Sequence, residues 1–272
     1  MKLSLCNEVV RELSFDRQCA LAAGLGYRGL ELAPFTFGDD AWRMPAAKRA
    51  EIRKVSADNG LEVSGLHWLL AAPAGLSITS ADRAVWQKSV DVLLASVDLC
   101  AELGGTYLVH GSPAQRRVAT PDDASRAEKA WTLAGEQAAL AKVAYCVEPL
   151  ATPDCNFVNT LAEAAEIVRR IGNPSLRIMV DTLAASLMEP EPVSDAIRRW
   201  MPSGLVAHVQ FNDRNRRGPG QGDDRFAPVV KALRETGYRG WIAMEPFVYE
   251  PDGPTCAARM IGYVAGLVEQ SA

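Results

Sequence analysis

The chain has 272 residues, 48% of them hydrophobic and 23% charged, with a formal net charge of −4 at pH 7, ordinary for a soluble α/β protein. Lysine and arginine are scattered through helical stretches rather than gathered in a stripe, which argues against a nucleic-acid partner, because phosphate binding needs concentrated positive charge. No apolar run approaches the roughly 20 residues of a membrane span, and the opening MKLSLCNEVVRELSF meets charge too early for a signal peptide.

In chain order, strand-like runs fall at KLSLC (2–6), RGLELA (28–33), LEVSGLH (61–67), GTYLVH (105–110), KVAYCVE (142–148), LRIMVD (176–181), LVAHVQF (205–211) and GWIAME (240–245). Amphipathic stretches lie between them, such as AAKRAEIRKVSADNG, TLAEAAEIVRRIG and FAPVVKALRETGYRG, and most close on glycine, a common helix stop. Eight β-α units in a chain of this length predict a single (β/α)8 barrel, one domain over 1–272. The six cysteines form no CxxC pair and sit mostly inside apolar runs, as reduced core thiols do, so a cytoplasmic setting is expected.

Loop length separates the two ends of such a barrel. Helix-to-strand turns are short and carry glycine (GLGY, NGLE, LGGT), whereas strand-to-helix loops are long (HWLLAAPAGLSITS, HGSPAQRRVATP, PLATPDCNFVNT, NDRNRRGPGQGD). Long connections at the carboxyl ends of the strands are where a barrel carries function.

Strand alternation then sorts the side chains. Leu3 and Leu5, Leu30 and Leu32, Tyr107 and Val109, Val143, Tyr145 and Val147, Ile178 and Val180, Val209 and Phe211, and Ile242 and Met244 are the bulky set and are expected to face the helices. The opposite set is expected to line the barrel: Ser4 and Cys6, Glu31 and Ala33, Leu108 and His110, Cys146 and Glu148, Met179 and Asp181, His208 and Gln210, Ala243 and Glu245. The third strand does not resolve, so His67 is placed near the mouth as the last residue of its run. On this reading Glu148, Asp181 and Glu245 converge at the carboxyl mouth, with the amide of Gln210 between them. Buried like charges are driven to protonate unless something positive neutralises them, and four oxygen donors suit Mg2+ or Mn2+ better than Zn2+.

EPLATPDCNFVNT, VDTLAAS, HVQFNDRNRRGPGQG and GYRGWIAMEPF resemble the xylose isomerase-like TIM barrels, in their ketose 3-epimerase and hydroxypyruvate isomerase branches. The resemblance spans nearly the whole chain and implies that Glu148, Asp181, Gln210 and Glu245 hold one divalent metal, with Glu148 and Glu245 serving also as acid and base. Epimerases carry a second His where this chain has Gln210, and hydroxypyruvate isomerases carry Gln. Two assignments therefore stand: Gln210 as ligand with His208 supporting it, or His208 as ligand with Gln210 on the substrate. The resemblance also implies a substrate-binding Arg216, and Asp154 stands where epimerases tend to have a substrate-binding Glu. His67, His110 and His208 complete the substrate-side candidates, while Ala184 and Ala151 replace a family His and Asn, which makes the pocket look remodelled. Trp68 opens the third long loop, where an aromatic could stack on a sugar ring or pack in the core.

The implied reaction is proton transfer through a metal-stabilised enediolate of a keto-sugar or small hydroxy-keto compound, giving epimerisation or aldose-ketose isomerisation. Free sugars or keto-acids are preferred over sugar phosphates as substrates, and a homodimer or tetramer is the implied assembly. The alternative is a keto-sugar or inosose dehydratase or lyase on the same metal site. A phosphodiester-cleaving enzyme like endonuclease IV would need more histidine than the three present, and a sugar-binding protein without catalysis is a third reading, motivated by Ala184.

Overall fold

The computed structural model describes residues 1–270. Parallel strands β1 (Lys2–Cys6), β2 (Gly29–Leu32), β3 (Glu62–Leu66), β4 (Tyr107–His110), β5 (Ala144–Val147), β6 (Leu176–Asp181), β7 (Val206–Phe211) and β8 (Trp241–Met244) pair in sequence order, and β8 returns to β1. The sheet is thus a closed barrel. The α-helices around it are α1 (Phe15–Leu25), α2 (Ala46–Asp58), α3 (Arg83–Leu103), α4 (Pro121–Ala141), α5 (Leu161–Ile171), α6 (Thr182–Met188), α7 (Val193–Trp200), α8 (Phe226–Glu235) and α9 (Gly253–Gln270). Every predicted strand is present; β1 and β6 have the predicted bounds and the other six are trimmed at their ends.

Local chemistry sets where the long loops hand over to helices. Thr120 and Thr160 open α4 and α5 with capping boxes, each accepting from the backbone N–H of Asp123 or Glu163 while that acid accepts in return. At the opposite end α3 stops on Gly104, whose φ of 87° only glycine adopts without strain. Among the described residues no helix is long and apolar enough to cross a membrane, and all six cysteines are buried and free of disulfides.

The core has two layers. Outward residues such as Leu5, Leu30, Tyr145, Val209 and Ile242 join the helices in one large apolar cluster, while Tyr107, Val109, Cys146, Met179 and Trp241 pack together as a second cluster inside the barrel. The position of Tyr107 and Val109 corrects the expected sidedness of β4: its bulky residues point inward, and Leu108 and His110 point to the helices. Registered residues of parallel neighbours share a face, and Val109 pairs with inward Cys146, Leu108 with outward Tyr145. The inversion has a chemical cause, since Tyr107 stacks on His208 at 3.8 Å between ring centroids and its hydroxyl donates to Glu31 Oε2 and lies 3.0 Å from Ser64 Oγ.

Two register shifts explain the remaining departures from strict alternation. β3 slips against β2 between Val63 and Gly65, so Ser64 falls out of the ladder, which is why its pattern is unreadable. β7 slips against β6 at its base, and Ala207, expected outward, packs on the interior cluster. Gly65 is fixed by this packing: a Cβ there would sit 2.5 Å from the ring and the carbonyl oxygen of Tyr107. Gly65→Ala is expected to destabilise the fold by about 2–3 kcal/mol through overpacking against backbone that cannot retreat; urea denaturation measures it, and a wild-type midpoint would contradict it.

Candidate active site

Glu148 follows β5, Asp181 ends β6 and Glu245 follows β8, and one carboxylate oxygen from each lies within 4.8 Å of the others. All three are buried. Asp181 is aimed by its neighbours: as N-cap of α6 its Oδ1 accepts from Ala184 N at 2.7 Å, and its Oδ2 accepts from Asn212 Nδ2 at 2.7 Å. Asn212 is itself held, its Oδ1 accepting from Leu183 N at 2.8 Å.

Glu148 depends on Gly111 and Arg116. A Cβ on Gly111, the residue after β4, would collide with Glu148 Oε2. Arg116 is fully buried, donating to the carbonyl of His110 at 3.1 Å and to the carbonyl of Glu148, which ties the starts of the fourth and fifth loops together. Gly111→Ala is therefore expected to keep the fold but lower turnover on the order of 100-fold, the typical effect of a misplacement near 1 Å. Steady-state kinetics beside circular dichroism checks this, and wild-type turnover would show that Glu148 tolerates displacement.

Beneath the carboxylates lies a continuous polar network. His67, on the segment after β3, places Nδ1 3.0 Å from Glu245 Oε1 and Nε2 2.9 Å from Glu8 Oε2, bridging two acids across the barrel. Burial lowers the His67 pKa, but Glu8, Cys6 and Glu245 overturn that and hold it well above the usual histidine value. Glu31 is the lower hub: Gln210 Nε2 donates to its Oε1 at 2.6 Å, and His208 Nε2 lies 2.9 Å from its Oε2. Burial would raise Glu31, yet His208, His67 and the Tyr107 hydroxyl bring it down to about 2.

The upper carboxylates behave in the opposite way. Burial, then repulsion from Glu245 and Asp181, pushes Glu148 well above the usual carboxylate range. Burial takes Asp181 up to about 6 despite its hydrogen bonds from Ala184 and Asn212, and takes Glu245 up to about 8 despite the one from His67. Such a cluster ionises fully only beside a compensating positive charge. Gln210 Oε1 and Glu245 Oε2 are, in addition, buried with no hydrogen-bond partner. Three anionic groups and one neutral oxygen, some unsatisfied, form a hard donor set that fits a divalent cation. The grouping of Glu8, His67 and Glu245 fits less well, because each ring nitrogen of His67 is already committed to a carboxylate.

A cleft opens above the carboxylates. Its lining includes His67, Trp68, Glu148, Asp154, Asp181, Ala184, Arg216, Glu245 and Phe247. Arg216 Nη2 donates to Asp154 Oδ2 at 2.5 Å, joining the seventh and fifth loops at the rim. The Arg216 backbone, at φ 68°, offers its carbonyl to Phe247 N at 2.8 Å and Val248 N at 2.9 Å, joining the eighth loop as well. Trp68 contacts Phe35 and Phe247 edge-on, with centroids 6.4 and 6.3 Å apart.

Two histidine expectations need correction. His110 faces away from the cleft, its Nδ1 accepting from Trp131 Nε1 of α4 at 2.9 Å and lying 2.7 Å from the Tyr145 hydroxyl. Burial and then Arg116 hold its pKa well below the usual value, so it is a neutral core histidine and not a substrate contact. His208 is inside the barrel but one pleat below Gln210, stacked on Tyr107 and not lining the cleft. Gln210 pairs with Asp181 in the ladder, one pleat nearer the mouth than His208, and likewise does not line the cleft. The glycines of RGPGQGD allow close packing: a Cβ on Gly218 would strike Met260 of α9, and one on Gly222 the carboxylate of Asp213. Sequence reasoning passed over Glu8, Asn212, Arg116 and Gly111; only Asn212 carried a signal, as the polar continuation of the His208 and Gln210 face.

The sequence matches the family described as xylose isomerase-like TIM barrel over residues 19–263. A probable ketose 3-epimerase of Synechocystis sp. is 24% identical over 88% of this chain and 81% of that protein. The L-ribulose 3-epimerase of Mesorhizobium japonicum is 28% identical over 82% of this chain and 73% of its own. A solved structure of L-ribulose 3-epimerase superposes with a TM-score of 0.84 at 23% identity, covering 100% of this chain and 96% of that one, which bears out the fold. These similarities support an enzyme of the isomerase and epimerase class. With a closed eight-stranded barrel, acidic groups gathered at its carboxyl mouth and a match over residues 19–263, the chain belongs to the xylose isomerase-like TIM barrel family.

Proposed function

We propose that the chain is a divalent-metal-dependent epimerase or isomerase of a keto-sugar or small hydroxy-keto compound. The observation that carries this reading is the meeting of Glu148, Asp181 and Glu245 around one point, with Gln210 the ladder partner of Asp181 and its Oε1 buried without a hydrogen-bond partner. The ketose 3-epimerases among its relatives support it. Glu148, Asp181, Gln210 and Glu245 would hold Mn2+ or Mg2+, and a cation there supplies Lewis-acid polarisation of a carbonyl oxygen.

The protein's own groups do the proton work. One of Glu148 and Glu245 takes the proton from the carbon between carbonyl and hydroxyl, the electron pair moves into the carbon–carbon bond, and an enediolate forms. The other glutamate returns a proton to the opposite face, inverting that centre; where the deprotonated carbon is instead the terminal carbinol, return of the proton to the former carbonyl carbon gives the aldose. His67 fixes the orientation of Glu245 Oε1, and Arg216 at the rim is the donor for a substrate oxygen.

Incubation of candidate ketoses with the Mn2+-loaded protein in D2O is expected to place deuterium at one carbon, with a second stereoisomer appearing, both read by NMR. Loss of water from the product would move the reading to a dehydratase. Binding with no deuterium uptake for any ketose would overturn the enzymatic reading in favour of a sugar-binding protein.

A further inference from the structure

We propose that the preferred substrate is a neutral ketose with a deoxygenated carbon, a deoxyketose rather than a fully hydroxylated or phosphorylated one; this rests on the reading above. One wall of the cleft, formed by the fifth loop and the first turn of α6, is apolar: Ala151, Leu183 and Ala184 are buried in a small cluster against which Phe247 packs, and Leu150 continues it. The polar groups lie elsewhere, the carboxylates on the floor and the Arg216–Asp154 pair at the rim. A sugar hydroxyl pressed against this wall gives up its water and gains no side-chain partner, whereas a methyl or methylene carbon gains contact.

The same cleft argues against charge on the ligand. Arg216 is the one cationic side chain among the lining residues apart from a protonated His67, and both are already engaged, Arg216 with Asp154 at 2.5 Å and His67 with Glu8 and Glu245. A divalent cation on the floor is outweighed by its three carboxylates, leaving about −1, so a phosphate or carboxylate group finds no free counter-charge.

The test compares a ketohexose with its 1-deoxy, 6-deoxy and 6-phosphate derivatives on the Mn2+-loaded protein, by calorimetric Kd and by kcat/KM for deuterium uptake. At least one deoxyketose is expected to exceed the parent about tenfold or more in both measures, with the phosphate binding worst. Ala184→Ser, which offers the wall a hydroxyl, is expected to bring that ratio towards one, and Ala151→Ser serves where the first variant folds poorly. A parent ketose that binds and reacts as well as both deoxy forms, or a preferred phosphate, overturns the proposal. Tighter binding of a deoxyketose without deuterium uptake would uphold this substrate class while sinking the enzymatic reading, so the two failures are distinguishable.

Discussion

Glu245→Gln is expected to lower epimerisation by a factor on the order of 10³, within the range for removing a general acid or base. The substitution is close to isosteric. The amide oxygen can still accept from His67 Nδ1, at 3.0 Å in the native protein, and can still face a cation, but it cannot take or deliver a proton. A loss of this size corresponds to about 4 kcal/mol of barrier, too much to assign to ground-state binding, so kcat falls while KM changes little. Circular dichroism should be unchanged, and Glu148→Gln should lose net epimerisation comparably, because inversion needs both faces served. Net epimerisation at the native rate in Glu245→Gln would remove Glu245 from the mechanism.

The second large effect is on stability. Asp181 and Glu245 are raised on folding to about 6 and about 8, and Glu148 is raised well above its ordinary value. A carboxyl whose pKa rises on folding contributes stability that is whole below its unfolded value near 4 and is lost as pH climbs through the folded value. His67, raised above its ordinary value, acts in the same direction at higher pH. Glu31, held at about 2, opposes this only below pH 4, and His110, held well below its ordinary value, opposes it only up to about pH 6.5, so neither offsets the carboxyls and His67 at pH 8. The cation-free protein is therefore expected to melt at a lower temperature at pH 8 than at pH 5. A divalent cation binds the deprotonated ligands, so its stabilisation grows over the same interval. The rise in Tm on adding Mn2+ to EDTA-treated protein should be on the order of 5–10 °C larger at pH 8 than at pH 5, which corresponds to a few kcal/mol for a chain of this size. An equal shift at the two pH values, or none, would count against the carboxylate cluster as the ligand set.

Much of this was legible before any coordinates. The strand and helix periods, the short glycine turns and the long loops predict the closed barrel and its working end, and placing Glu148, Asp181 and Glu245 at strand termini predicts their meeting. What misled was the rule that bulk faces helices: Tyr107 is bulky, but its hydroxyl is satisfied only inside, by Glu31 and Ser64. That one inversion carried His110 to the wrong side. Arg116 stayed invisible because its partners are backbone carbonyls of His110, Glu148 and Val158, which leave no mark in side-chain pattern. Glu8 was hidden for another reason: its contact with His67 joins the first and third strand ends, a pairing set by barrel closure and not by local periodicity.

The left-handed backbone of Arg216 separates what an alanine scan reads there from what glycine reads. Arginine and alanine alike carry a Cβ into a conformation disfavoured by about 1–2 kcal/mol, so alanine deletes the guanidinium and keeps the strain, with the Phe247 and Val248 amides still depending on the same carbonyl. Glycine or asparagine, which accept that geometry, would strip away the charge and leave the clasp between the two loops closed. Whatever separates those variants from alanine belongs to the main chain rather than to the guanidinium.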